Sequence, residues 1–73
     1  MSDAALTDTE ATVLRAVHAQ ETADLYDLSQ QVGAGPRAVQ EAVRRLAQHD
    51  LVHVSGRYVR CTRTGDRWVR QHQ

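Results

Sequence analysis

Three stretches of the chain place apolar residues at helical spacing. A fourth, short stretch alternates instead, and an amphipathic tail follows it. Val13, Leu14 and Val17 fall on one helical face, and the segment Leu6-Thr7-Asp8-Thr9-Glu10 ahead of them carries a start signal. Thr7 can accept from the first-turn backbone while Glu10 reaches back to Thr7, which is a capping box. Asp8 and Glu10 also suit the positive end of a helix dipole. The spacing therefore predicts a first helix from about Asp8 to Gln20. Leu25, Leu28 and Val32 stand at i, i+3 and i+7, one apolar stripe that predicts a two-turn helix over Asp24–Val32. Gly33 stops it, because glycine takes the left-handed conformation without steric cost.

Pro36 stands where the first residue of another helix belongs. Val39, Val43 and Leu46 then continue at i, i+4 and i+7, predicting a third helix to about His49. Only the three residues Gly33, Ala34 and Gly35 separate the second and third helices, which is the arrangement of a helix-turn-helix. After His49 the period drops to two. Leu51-Val-His-Val and Arg57-Tyr-Val-Arg-Cys predict two short strands paired around Ser55-Gly56. Thr62 caps a short closing helix, on which Trp68 and Val69 return to the core. The expected fold is α+β and mostly helical: a three-helix core, a β-hairpin spanning 52–61 and a short C-terminal helix.

Length and composition narrow the function. Seventy-three residues suffice for one domain, taken as 1–73, with little left from which to build a substrate pocket. No apolar run approaches the roughly 18 residues needed to span a bilayer. The opening MSDAALTDTE has neither the basic nor the apolar region of a signal peptide, so the expected location is cytoplasmic and no membrane partner is expected. A lone Cys61 fits that compartment. Net charge is zero, but it is unevenly spread. Residues 1–31 carry −5 and residues 32–73 carry +5, with all the basic residues arginine. Such asymmetry between halves points to a polyanion partner for one face.

The run from Val32 to Val52, VGAGPRAVQEAVRRLAQHDLV, resembles the turn and recognition helix of winged-helix transcription regulators. The likeness is strongest to the multiple-antibiotic-resistance-regulator (MarR) type. Leu6-Thr7 with Val13-Leu14 resembles that group's first helix, and Cys61-Thr62-Arg63-Thr64-Gly65 resembles its junction between strand and final helix. The likeness spans residues 6–69, with the four segments in the right order. It implies that the third helix lies in a DNA major groove, presenting Arg37, Gln40, Glu41 and Arg44 to base edges. Arg37 and Arg44 would pair with guanine and Gln40 with adenine, whereas Glu41 departs from the basic or neutral residue of the pattern and either accepts from a cytosine amino group or repels phosphate. Gly35 and Ala38 are small enough to let the helix approach the bases. Arg45 is expected on a phosphate. The hairpin would be the wing, with Arg57 at its tip, and Arg60 and Arg63 extending the basic track. Asp50 replaces a glycine of the pattern, so a left-handed conformation is expected there.

The remaining candidates have plainer readings. Cys61 is expected to be a buried structural thiol rather than a redox sensor. His49 and His53 are four residues apart, but a helix–strand boundary lies between them and no third ligand is evident, so no metal site is expected. His18 and His72 are read as surface residues. Tyr58 either packs along its strand or stacks on a nucleotide. Trp68 is read as the anchor of the last helix. No phosphate loop, serine elbow or His-Glu helical motif occurs, so neither catalysis nor a cofactor is expected. The function these residues suggest is sequence-specific binding of double-stranded DNA as a repressor or accessory factor. A second copy of the chain would suit a palindromic site. The rival is a protein-docking module using the acidic half, where Glu21, Asp24 and Asp27 lie close in sequence.

Overall fold

The computed structural model describes residues 5–72, and its elements follow the capping signals closely. Helix α1 spans Asp8–Gln20, and both arms of the capping box are present. The Glu10 amide donates to Thr7 Oγ1 at 3.1 Å, and the Thr7 amide donates to Glu10 Oε1 at 3.0 Å. Strand β1, Thr22–Asp24, comes next. Helix α2 is Leu25–Val32, one residue shorter than its apolar stripe suggested, because Asp24 serves as its cap. Gly33, at φ 77°, closes α2 in the left-handed conformation. Helix α3 runs Pro36–Gln48 with proline in its first turn. Strands β2, Val52–Ser55, and β3, Tyr58–Cys61, lead to helix α4, Arg63–Gln71, whose cap is Thr62.

Strand β1 is the one element the hydrophobic pattern did not indicate. Three residues are too few for alternation to register. The strand exists because the hairpin leaves one edge of β3 unpaired. Thr22, Ala23 and Asp24 fill that edge opposite Arg60, Val59 and Tyr58, giving an antiparallel sheet of order β1-β3-β2. Across β3, Val52 faces Cys61 and Val54 faces Val59. The two-residue turn Gly56-Arg57 has positive φ at Gly56, the first central position, as a type II′ hairpin requires.

One core joins these elements. Val13, Leu14 and Val17 of α1 meet Leu28 of α2, Val39, Val43 and Leu46 of α3, Val59 of β3 and Val69 of α4. Of the α2 stripe only Leu28 is fully buried, while Leu25 and Val32 are half-buried at its margin. Burying one such aliphatic side chain contributes roughly 1.5–3 kcal/mol, so a domain without phenylalanine relies on many small apolar contacts.

The corner after α3 fixes how the sheet leaves the helices. Asp50 takes φ 61°, the left-handed conformation expected where the resembling pattern has glycine. The turn then returns the Leu51 amide to Leu46 O at 2.8 Å. Thr62 clasps this corner from the other side: its amide donates to Leu51 O at 3.1 Å, and its hydroxyl donates to Asp50 O at 2.6 Å. The same hydroxyl accepts from the Gly65 amide at 3.0 Å, so one side chain both caps α4 and holds the α3–β2 corner. Gly65 packs on that corner so tightly that any Cβ would overlap the Leu51 carbonyl.

Two histidines read as surface residues have specific partners. His18 of α1 and Asp66 of α4 are hydrogen-bonded, Nε2 to Oδ1, at 2.7 Å, and the His18 side chain is only 30% exposed. His72 is exposed, but its ring stacks on Trp68 at 4.0 Å between centroids. Arg15 lies over the same indole at 5.5 Å and donates to His72 O at 2.9 Å. Trp68 is thus half-buried, packed against the core on one side and held by Arg15 and His72 on others. Both pairings join residues 48 or more positions apart or lie at a helix end, where local sequence gives no signal.

Candidate nucleic-acid interface

The exposed side of α3 follows from its buried side. Val39, Ala42, Val43 and Leu46 face the core, which turns Arg37, Gln40, Glu41, Arg44 and Arg45 to solvent. The exposed residues divide between two flanks. Gln40 and Arg44 border clefts on the flank facing the wing. Ala38, Glu41 and Arg45 border a smaller depression beside Thr7, Thr9 and Glu10 of α1. Arg45 leans toward α1, with Nη1 4.0 Å from Glu10 Oε2, and keeps 65% of its side chain exposed. Arg37 and Arg44 make no ion pair among the described residues.

Gly35 has a backbone role. It precedes α3 at φ 92°, ψ 155°, a region that only glycine occupies readily. No side chain caps α3, and the Val39 amide donates to Gly35 O at 3.1 Å. The chain therefore needs glycine here to swing from α2 into α3, whatever the helix approaches. Ala38 is half-buried against α1 rather than open to solvent.

The wing tip is tied down. Arg57 Nε donates to Asp24 Oδ2 at 2.6 Å, while Asp24 Oδ1 accepts from the Tyr26 and Asp27 amides at 2.8 and 3.4 Å. One carboxylate therefore caps α2 and holds the hairpin turn. The Leu25 amide, donating to Arg57 O at 2.8 Å, closes the link through the backbone. The hydrogen bond from Arg57, helped by the two backbone donors, holds the Asp24 carboxyl below its ordinary range and outweighs the opposing effect of burial. Arg57 is correspondingly shifted up. Its side chain remains 63% exposed, with the rest of the guanidinium edge open. Asp24 is thus committed to the wing, whereas Glu21 and Asp27, its neighbours in the acidic half, are exposed. Asp3, a further acid of that half, lies outside the described residues.

Between α3, the start of α2 and the wing lie two adjoining clefts of about 670 and 540 Å³ that share Leu25 and Gln40. Tyr26, Ser29, Gln30 and Arg57 border the first, and Arg44, Ala47, Gln48 and Val54 the second. No carboxylate lines either. Arg60 stands elsewhere. Its neighbour Val59 faces the core, so Arg60 and Tyr58 project from the opposite face of the sheet, beside His53 and Thr22. Arg63 is exposed at the start of α4. The structure therefore brings Gln40, Arg44 and Arg57 around adjoining clefts between α3 and the wing tip, with Arg37 exposed on the same helix, and leaves Arg60 on the outer sheet face.

Residues 5–67 match the family model described as HVO_A0114. The chain belongs to the HVO_A0114 family. No curated protein matches it. Among solved structures it is similar to ligand-free NadR, at 22% identity and a TM-score of 0.83 over 89% of this chain and 49% of that one. NadR in complex with 4-hydroxyphenylacetate matches at 22% identity and a TM-score of 0.82, over 89% of this chain and 51% of that one. The chain spans about half the length of the NadR chains it matches. At 22% identity the likeness is one of fold: this chain has the winged-helix architecture of the NadR chains.

The cysteine weighed from the sequence has a structural answer. Cys61 is half-buried with Sγ 4.0 Å from Leu14 O, and burial, with Asp66 nearby, raises its pKa to about 11. Such a thiol carries almost no thiolate at neutral pH, as a packing role requires. Among the described residues no group of three or more His, Cys, Asp or Glu is placed to hold a metal ion. No helix among them is long and apolar enough to cross a membrane.

Proposed function

We infer that this protein binds double-stranded DNA and reads its sequence, acting as a small transcription regulator without catalysis. The observation that carries this reading is the exposed row Arg37, Gln40 and Arg44 on α3, set beside clefts that end at Arg57 and contain no carboxylate. Arginine and glutamine are the side chains whose paired donors and acceptors match guanine and adenine in the major groove. Their placement on a helix, a rigid support, suits base readout. Arg57 is an exposed cation on a tethered turn and suits a phosphate, which positions the protein without specifying sequence. Arg45, on the α1 flank, is assigned to a phosphate, as are Arg60 and Arg63 at the margin. Glu41 lies on the α1 flank, while Gly35 and Ala38 act through their small size at the start of the helix.

Overall neutrality does not oppose this. Of the acids near α3 and the wing, Glu10 faces Arg45 and Asp24 is paired with Arg57, while Glu41 borders the α1 flank and leaves the clefts beside Gln40 and Arg44 without a carboxylate. A second copy would supply the matching half of a palindromic site.

The test is an amide chemical-shift titration of labelled protein with a mixed-sequence duplex, at low and then moderate salt. Shifts concentrated in residues 35–45 and 55–60, weakening as salt rises, support the reading. Unmoved resonances there in folded protein at low salt overturn it and direct attention to a protein partner at Glu21 and Asp27.

A further inference from the structure

The second cleft differs from the rest of the surface in being almost wholly apolar. Its floor is formed by Val43 and Ala47 of α3 together with Leu25, and its far wall by Val54 of β2. Val54 is 37% exposed although it lies on the same sheet face as the fully buried Val59, so the core leaves this valine uncovered. Gln40, Arg44 and Gln48 form the rim. An apolar floor beneath two amides and a guanidinium is an unusual combination for a surface that faces only water.

We propose that this groove reads A·T pairs through the C5-methyl group of thymine. The proposal rests on the DNA-binding reading above. In the major groove the thymine methyl is the one apolar feature a duplex offers, and small aliphatic side chains are what contact it. The rim supplies the complement: a glutamine amide, from Gln40 or Gln48, pairs with the adenine of the same base pair, and Arg44 can take a neighbouring guanine. The charge agrees with a polyanion, since Arg44 sits on the rim and no carboxylate lines the groove. Ala47, Gln48 and Val54 thereby become specificity residues beside Gln40 and Arg44. The site preferred by this protein contains thymines on the wing side of an arginine-read guanine.

The experiment isolates the methyl group. The full chain selects a duplex from a random-sequence pool, and that duplex is remade with deoxyuridine in place of thymidine. This removes each C5-methyl and leaves every hydrogen-bonding group. Affinities are compared by fluorescence anisotropy at fixed salt. The expected result is a loss of about fourfold for each methyl seated in the groove, the factor that burying one such carbon carries. In a protein carrying Ala47→Ser and Val54→Ser, which put hydroxyls in place of exposed apolar groups, the two duplexes should bind within about twofold of each other, since the apolar contact is gone. Val54→Ser alone, at a position already partly exposed, should give part of the same collapse should the double variant fold poorly. Equal wild-type affinity for both duplexes overturns the thymine contact and leaves the DNA reading standing. Undiminished preference for thymidine in folded variants also overturns it, because the methyl is then read elsewhere or through duplex shape. Failure to enrich any duplex overturns the DNA reading and this proposal with it.

Discussion

The Asp24 carboxylate and the Arg57 guanidinium meet at 2.6 Å, joining the residue just before α2 to the tip of the wing. The hairpin is also held by its ladder, by pairing with β1 and by the Leu25 amide on Arg57 O, so the ion pair adds a side-chain tie at the turn itself. Here the turn is fixed from outside by the same residue that caps a helix. Because Asp24 has a depressed pKa in the folded state, its contribution is present above the ordinary carboxylate range and is lost as pH falls through the folded value. Thermal melts of wild type and Asp24→Asn should differ at neutral pH, wild type being the more stable, and converge in strong acid. A difference that stays constant into acid would show that the ion pair contributes nothing. Asparagine at this position can still cap the helix, so the comparison isolates the charge.

Base and phosphate contacts should separate in affinity measurements. Arg44→Ala should cost roughly 1–3 kcal/mol of binding and relax preference at one base position. Arg57→Ala should weaken binding about equally on every duplex and lower the slope of log K against log salt. Competition binding with single-base variants checks both. Equal losses for both substitutions on every sequence would contradict the division of labour.

Gly65 should tolerate no side chain. Gly65→Ala drives a Cβ into the Leu51 carbonyl, which Thr62 already holds from the other side. Overpacking of this kind costs about 1–3 kcal/mol, and backbone atoms yield less than side chains do. Urea unfolding should place the loss near the upper end. A midpoint unchanged from wild type would mean that the corner and α4 separate freely.

Thr7→Ala should remove one arm of the capping box and cost about 1 kcal/mol. Glu10→Gln should cost less, since glutamine can complete a capping box too, although its contact with Arg45 would lose its charge. Circular-dichroism melts of the two variants order these effects.

Cys61 should react slowly with alkylating agents at neutral pH, with a rate rising toward an apparent pKa of about 11. The raised value means that the folded state disfavours the thiolate. Its contribution to stability is complete below the unfolded value near 9 and is lost as pH rises through about 11. Alkylation rates in folded and urea-unfolded protein, measured across alkaline pH, provide the check. Identical profiles in the two states would refute the burial.

The sequence by itself determined the helices, their caps and the hairpin. Thr7 with Glu10, Gly33, Pro36 and Thr62 act within one helical turn, and periodicities of 3.6 and 2 record which side of each element is buried. Such information is local, so Asp8–Gln20 was legible to the residue. The exposed row of α3 followed by subtraction from its buried stripe. The tertiary structure decided what depends on residues far apart in the chain. Strand β1 exists only because β3 offers an open edge, and three residues carry no period of their own. Asp24 meets Arg57 across 33 positions, and His18 meets Asp66 across 48. The tight fit of Gly65 under Leu51, and the turning of Arg60 away from α3, likewise arise from how finished elements pack. Which arginines share a surface is set by that packing, because charge counted along a chain does not say which face of the fold it will occupy.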